Sequence, residues 1–136
     1  MLADVYVKDV VSKSPHARSR LEKWVNLKHE WVGRAGWVLL ANLAMAESDL
    51  TETELTGYLK RIEDEIHSAL NLTRDAMNSS LIAIGIRNPT LRKRATAAAK
   101  RIGKVDVDHG DTGCKTPDAV AYIEKTWARR KKLRSK

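Results

Sequence analysis

The sequence predicts an all-α protein, on two observations. Apolar residues recur at helical spacing along nearly the whole chain, and they are spaced as on one side of a helix between Trp31 and Leu43. No stretch shows the sustained alternation of apolar and polar residues that predicts a strand, and no Asn-Gly or Asp-Gly turn is flanked by such alternation. We expect about seven helices, at residues 2–13, 15–27, 29–47, 51–68, 71–87, 89–103 and from 116 onward.

Local signals mark where most of these helices start. Pro15 suits the first turn of the second helix, where a missing N–H costs nothing. The motif "TETE" from Thr51 has the form of a capping box, and Asn71 is the expected N-cap of the fifth helix. "NP" at Asn88 starts the sixth helix, which ends at a glycine, and "TPD" from Thr116 starts the last one.

Two of the predicted helices resemble each other when displaced by 41 positions. "VGRAGWVLLANLA", from Val32, lies over "TRDAMNSSLIAIG", from Thr73, and aligns Ala35 with Ala76. This period falls in the range of HEAT-type helical repeats. We therefore expect antiparallel helix pairs stacked in a short right-handed solenoid, with an ordinary helical bundle as the alternative.

Length and charge predict one domain with a basic end. The 136 residues suit a single domain, here residues 1–128, followed by a basic tail at 129–136 that we expect to be flexible. Residues 1–87 hold eleven Lys/Arg and twelve Asp/Glu, whereas residues 88–136 hold fourteen and five, so the net charge of +8 comes from the last third. Such a one-sided excess favours a polyanion partner, and a solvated helix face is the alternative.

Neither a membrane span nor an oxidising compartment is predicted. The longest nearly apolar run, ten residues from Trp37, is shorter than the roughly 20 residues that cross a bilayer. No secretory signal is visible, and the single cysteine cannot form an internal disulfide. We expect a cytoplasmic protein.

The stretch "KVDVDHGDTGCKTPDA", from Lys104, gathers acids, a histidine and the cysteine, but its spacing does not predict a metal or cofactor site. Cys114 stands five residues after His109, which is not a zinc-ligand pair. In a calcium loop counted from Asp106, the position of the bidentate glutamate is Pro117. A Cys-His nucleophile has no evident third group to orient it. We expect a loop before the last helix.

Several polar side chains stand among apolar residues and admit two interpretations. Arg34 lies between Trp31 and Trp37, and three more polar residues share one face of the fifth helix, namely Asn71, Arg74 and Asn78. If they are buried, they form a structural network of hydrogen bonds. If they face a groove, they suit contacts to phosphate or sugar, and Arg34 offers a bidentate fork.

Three segments resemble the C-terminal half of the bacterial DNA alkylation repair family, the HEAT-like-repeat DNA glycosylases. They are "EWVGRAGWVLLANLA", "IHSALNLTRDAMNSSLIAIG" and, most specifically, "IGKVDVDHGDTGCKTPDAVAYIEK". The likeness covers essentially the whole chain, while the family's N-terminal repeats have no counterpart in it. It implies alkylated double-stranded DNA as the partner and removal of N-alkylated purines by glycosidic hydrolysis.

The resemblance also implies roles for individual residues. Asp4, with Ser12 eight residues later, matches the family's catalytic aspartate, which stabilises a sugar cation and orients water. The tryptophan that precedes this aspartate in the family would fall before Met1. Arg34 resembles the phosphate-binding arginine. The other expected DNA contacts are Trp37, Asn71, Arg74, Asn78, Lys115, Arg129, Arg130, Lys131 and Lys132.

One departure from the family bears on activity. No tryptophan occurs between Trp37 and Trp127, so the family's second groove tryptophan has no counterpart. We therefore expect DNA binding with impaired or absent catalysis. The alternative is a helical scaffold that does not act as an enzyme. The sequence does not predict an oligomeric state.

Overall fold

The computed structural model describes residues 4, 6–7, 10–46, 48–110 and 115–134, and within these ranges it contains helices and loops but no strand. This confirms the all-α prediction. The α-helices are α1 (Ala17–Trp24), α2 (Glu30–Met45), α3 (Glu52–Glu65), α4 (Asn71–Arg87), α5 (Pro89–Ile102) and α6 (Ala119–Arg134), with 3-10 turns at Val11–Lys13 and Ile66–Ser68.

These six helices begin and end within three residues of their predicted limits. The helix predicted for residues 2–13 is seen only in part. Asp4, Tyr6 and Val7 are helical, and the segment ends in the 3-10 turn at Val11–Lys13 rather than in an α-helical turn. Val10 is in a turn, and residues 2, 3, 5, 8 and 9 of that predicted helix lie outside the described ranges.

The helices form two layers. Helix α4 packs along α2 on one side and along α6 on the other, while α5 packs against α3. Helix α1 covers α2, and α5 covers both α4 and α6. The inner layer is therefore α2, α4 and α6, and the outer layer is α1, α3 and α5, which is the stacking of helix pairs that the 41-residue period predicts.

Helix α4 is the centre of the core. Ten of its residues are buried, among them the polar side chains of Asn78 and Ser80. The hydroxyl of Ser80 donates to the backbone carbonyl of Trp37 at 2.5 Å, which satisfies a group that would otherwise be costly to bury. A helix buried on nearly all sides needs such a partner for each polar group.

Two predicted helix caps are confirmed. The hydroxyl of Thr51 accepts a hydrogen bond from the backbone N–H of Glu54 at 3.1 Å, and the Asn88 side chain accepts one from Leu91 at 2.8 Å. In both cases a side chain bonds to the first turn of its own helix, which a sequence pattern can reveal.

Two other cap predictions are wrong. Asn71 is not the cap of α4, because the carboxylate of Glu30 on α2 accepts from the N–H of Leu72 at 2.8 Å instead. The cap of α6 is Asp118, which accepts from the N–H of Ala121 at 2.9 Å, rather than Thr116. In both cases the predicted residue has the right chemistry for an N-cap, and nothing in that residue indicates that another side chain takes its place.

The predicted flexible tail is helical as far as it is described. Helix α6 continues through Arg134, because residues 129–134 extend the same helix without a break. None of the described helices combines the length and the apolar character that a membrane-spanning helix requires.

A close helix contact depends on Gly36. A Cβ at this position would lie 2.7 Å from the backbone nitrogen of Val25 and 2.9 Å from the carbonyl carbon of Trp24. Real Cβ atoms do not approach backbone so closely, so α1 and α2 would have to separate. Glycine at this position therefore sets how closely the first helix pair packs.

We predict that Gly36→Ala lowers the free energy of unfolding by about 1–3 kcal/mol, the usual cost of overpacking. Gly57→Ala is the matched control, because its added methyl group meets no atom within 4 Å. That control should raise stability slightly, since alanine favours helix over glycine by about 0.5–1 kcal/mol. Urea denaturation of both variants provides the measurement, and equal shifts would show that the α1–α2 contact is not tight.

Candidate nucleic-acid interface

Arg34 is the centre of an ion-pair network. Its Nε and Nη2 atoms donate to the two carboxylate oxygens of Asp4, at 3.1 and 2.7 Å. Its Nη1 donates to Asp75 at 2.8 Å and to the backbone carbonyl of Leu72 at 3.1 Å. The predicted catalytic residue and the predicted phosphate ligand are thus in direct contact.

The network is only partly open to solvent. The side chain of Arg34 is 11% exposed, and those of Asp4 and Asp75 are 26% and 22% exposed. Burial lowers the pKa of Arg34, but its hydrogen bonds to the two carboxylates together outweigh burial and hold that pKa above its ordinary value. A guanidinium with two carboxylates carries a net negative charge, which opposes the approach of a phosphate.

Asp75 is the member of this network that the sequence analysis missed. Its signal was present in the repeat, because the 41-residue displacement aligns Arg34 with Asp75. Since α2 and α4 pack side by side, equivalent positions of the two repeats become neighbours. The alignment therefore identified a contact as well as a fold.

The polar face of α4 holds a loop in place. Arg74 donates to the carbonyls of Ile66, Ala69 and Asp106, at 3.1, 2.8 and 2.8 Å. Asn71 exchanges two hydrogen bonds of 2.7 Å with the backbone of Asp108. These bonds tie the loop after α5 to the start of α4, so Asn71 and Arg74 have a structural role here.

Asn78 belongs to the same set of contacts. Its side chain is 2% exposed and donates to the carbonyl of Pro117 at 3.1 Å, just before α6. The expected DNA contact of Asn78 is corrected, because a buried amide with this partner has no surface to offer. The interpretation as a structural network fits it instead.

The expected DNA contact of Trp37 is also corrected. Its side chain is 1% exposed, and its ring packs edge-on against Tyr58 with centroids 6.0 Å apart. The guanidinium of Arg61 lies 5.4 Å from the same ring. Trp37 is therefore a core residue. Trp31, on the same helix, is 49% exposed.

The basic residues of α6 lie on three different sides of the helix. Arg130 is docked, since it donates to the carbonyl of Ile86 and lies 5.5 Å from the Trp127 ring. Arg129 and Lys132 fall on one helix face, together with Lys125, and all three are exposed. Lys131 falls on another face with Arg134, toward α5. The tail predicted as one unit thus presents two separate basic surfaces.

The loop between α5 and α6, whose sequence gathers acids, a histidine and the cysteine, is described only in part. Residues 111–114, including Cys114, lie outside the described ranges. Among the residues that are described, no group of three potential metal ligands occurs. The imidazole of His109 lies 2.9 Å from the hydroxyl of Thr116, and Lys115 is exposed. The role of Lys115 in DNA binding stays a prediction.

A family assignment follows from comparison with known proteins. The family described as "DNA alkylation repair enzyme" matches residues 1–123, which is most of the chain. The chain belongs to this family. The match includes both Asp4 and Arg34, the residues that the resemblance in sequence singled out.

Relatives of this DNA alkylation repair family member occur in Listeria. An uncharacterized protein of Listeria innocua is 36% identical over 116 residues, which cover 85% of this chain and 50% of that protein. An uncharacterized protein of Listeria monocytogenes is 34% identical over 122 residues, which cover 90% and 52%. The chain therefore spans about half the length of the curated relatives it matches.

A solved structure confirms the HEAT-like fold. It comes from a family of proteins related to the HEAT-like repeat DNA glycosylases with affinity for branched DNA structures. The TM-score is 0.85 at 28% identity, and the match covers 96% of this chain and 56% of that one. The stacked helix pairs of this DNA alkylation repair family member are thus HEAT-like repeats.

We predict that Arg34→Lys destabilises the fold by about 2 kcal/mol. A lysine cannot donate to Asp4, Asp75 and Leu72 at once, and hydrogen bonds to charged groups contribute roughly 1.5–3 kcal/mol each. Urea denaturation provides the measurement.

The matched control for this prediction is Arg101→Lys. Arg101 makes a similar two-bond contact with Glu63, at 2.6 and 3.0 Å, but its side chain is 59% exposed. Exposed ion pairs contribute little, so the control should leave the unfolding midpoint nearly unchanged. A similar loss of stability in both variants would mean that the Arg34 network contributes no more to stability than an exposed ion pair.

Proposed function

We propose that this domain binds duplex DNA through its phosphate backbone. The observation that carries the proposal is the exposed basic face of α6, formed by Lys125, Arg129 and Lys132. Acids do not offset this charge in the same part of the chain, because residues 88–136 hold fourteen Lys and Arg but five Asp and Glu. A face of this kind releases counterions from a polyanion and gains affinity without reading a sequence.

Membership in the DNA alkylation repair family supports nucleic acid over a protein partner. The structural neighbour supports it further, because it belongs to proteins with affinity for branched DNA structures. The scaffold alternative requires a surface that suits a protein, and protein interfaces are depleted in lysine at their centre. We therefore take duplex DNA, in linear or branched form, as the partner of this surface.

We also propose that the domain binds DNA without releasing bases in the conformation described. A catalytic carboxylate must keep its negative charge available for a developing sugar cation. Both oxygens of Asp4 instead accept hydrogen bonds from Arg34, which offsets that charge. Arg34 is in turn occupied by carboxylates and a carbonyl, so it cannot grip a phosphate unless the network opens.

The binding proposal predicts a strong dependence on salt. Fluorescence anisotropy with a linear duplex should show affinity falling steeply as salt rises. Arg129→Ala should reduce the slope of log K against log[salt] by about one, as expected for one lost phosphate contact. Arg20→Ala, an exposed arginine of α1, is the control and should leave the slope unchanged. An affinity that does not change between low and moderate salt would contradict the proposal.

The catalytic proposal predicts no base release from N-methylated duplex DNA. Base release should be measured for the parent chain and for Asp4→Asn, which keeps the side-chain shape and removes the charge. We expect both to stay at the background rate of the free DNA. Release by the parent that is lost in Asp4→Asn would show that Asp4 is catalytic despite its contact with Arg34.

A further inference from the structure

A second basic surface lies in the groove between α5 and α6. Two adjoining cavities form it, and they share Arg92 and Glu124 at their junction. On the α5 side the groove is lined by residues at helical spacing, and on the α6 side by the face opposite Arg129. Its cationic lining residues are Arg92, Lys93, Lys100, Arg130, Lys131 and Arg134.

The charge of this groove is not offset by acids. Glu124 is the one acidic residue among its described lining residues. The hydrogen bond from Arg92 lowers the pKa of Glu124 and the same bond raises the pKa of Arg92, so both stay charged. The charges of Arg92 and Glu124 offset each other, and the remaining lining cations give the groove a net positive charge.

The floor of the groove is fixed. The indole nitrogen of Trp127 donates to the carbonyl of Gly85 at 2.8 Å, which anchors α6 on α4. The guanidinium groups of Arg92 and Arg130 lie 5.4 and 5.5 Å from the Trp127 ring. Two of the six lining cations are therefore held in place, while Lys93, Lys100, Lys131 and Arg134 are exposed to an incoming anion.

The length of the groove suits several phosphates. Arg92 pairs with Glu124, while Lys100 shares a cavity with Val120, so the two helices run antiparallel. From Glu124 to Arg134, the first and last α6 residues that line the groove, the helix rises about 15 Å at 1.5 Å per residue. One strand of duplex DNA advances about 3.4 Å per base pair, so the groove spans about four base pairs.

A further helical repeat is a poorer occupant. Packing another helix pair here would remove these cations from water without partners, which costs far more than burying an apolar surface gains. The α2–α4 interface shows the kind of surface on which one helix packs against another, because it is lined by apolar residues and each buried polar group has a partner. The charge of the groove thus favours a polyanion.

We propose that the α5–α6 groove binds the backbone of a second duplex arm, beside the arm held by the Arg129 face of α6. The inference rests on the proposed DNA binding and adds a site to it. Because the two basic faces of α6 point in different directions, one straight duplex does not cover both. A branched DNA, whose arms diverge, can occupy both surfaces at once.

The test compares a four-way junction with a linear duplex of the same arm sequence. Lys93→Glu with Lys100→Glu reverses two exposed charges in the groove. Lys23→Glu with Lys28→Glu makes the same net change on exposed positions far along the chain, in α1 and the loop after it. Circular dichroism checks that both double variants keep the helical fold, and anisotropy titrations over a range of salt give the affinities.

We expect the parent to bind the junction more tightly than the linear duplex. The groove variant should lose this preference, and its salt slope on the junction should fall by about two, one for each lost contact. The control variant should keep both the preference for the junction and the salt slope of the parent. A groove variant that behaves like the control would overturn the second site and leave linear binding intact. Failure of the parent to bind the linear duplex would instead overturn the proposed function, and the groove with it.

Discussion

The side-by-side packing of α2 and α4 is the interaction on which the rest of the structure depends. Each helix caps an end of the other. Glu30 of α2 accepts from the first turn of α4, and Arg87 of α4 donates to the carbonyls of Leu43 and Ala44 at the end of α2. This reciprocal capping fixes the register of the two helices, so repeat-equivalent residues such as Arg34 and Asp75 must meet.

That register explains which parts of the fold could be predicted. The caps at Thr51 and Asn88 were predictable because each side chain bonds to its own helix, within three residues. The cap of α4 was not, since its acceptor is Glu30, 42 residues away on another helix. The repeat alignment predicts contacts of this kind between α2 and α4, but only if equivalent positions of the two repeats are taken to be neighbours in space.

The candidate site was predicted unevenly for a related reason. The family likeness placed Asp4 and Arg34 at positions that turn out to be in contact, although composition and periodicity alone linked neither to the other. Trp37 was misassigned because an aromatic residue on an amphipathic helix is compatible with a groove or with the core. Its burial against Tyr58 depends on α3, which the pattern of α2 alone does not reveal.

The arginines show how the fold divides structure from function. Arg34, Arg74 and Arg87 donate to carbonyls and carboxylates of the protein, and they lie within residues 1–87, where the basic and acidic residues nearly balance. Arginine suits this work because its planar fork makes several bonds in fixed directions. The two proposed basic surfaces lie on α5 and α6, where acids are few and where Trp127 holds α6 on α4. A DNA surface can therefore change there without disturbing the α2–α4 core, whereas any change that frees Arg34 for a phosphate must first break a contact that holds the core together.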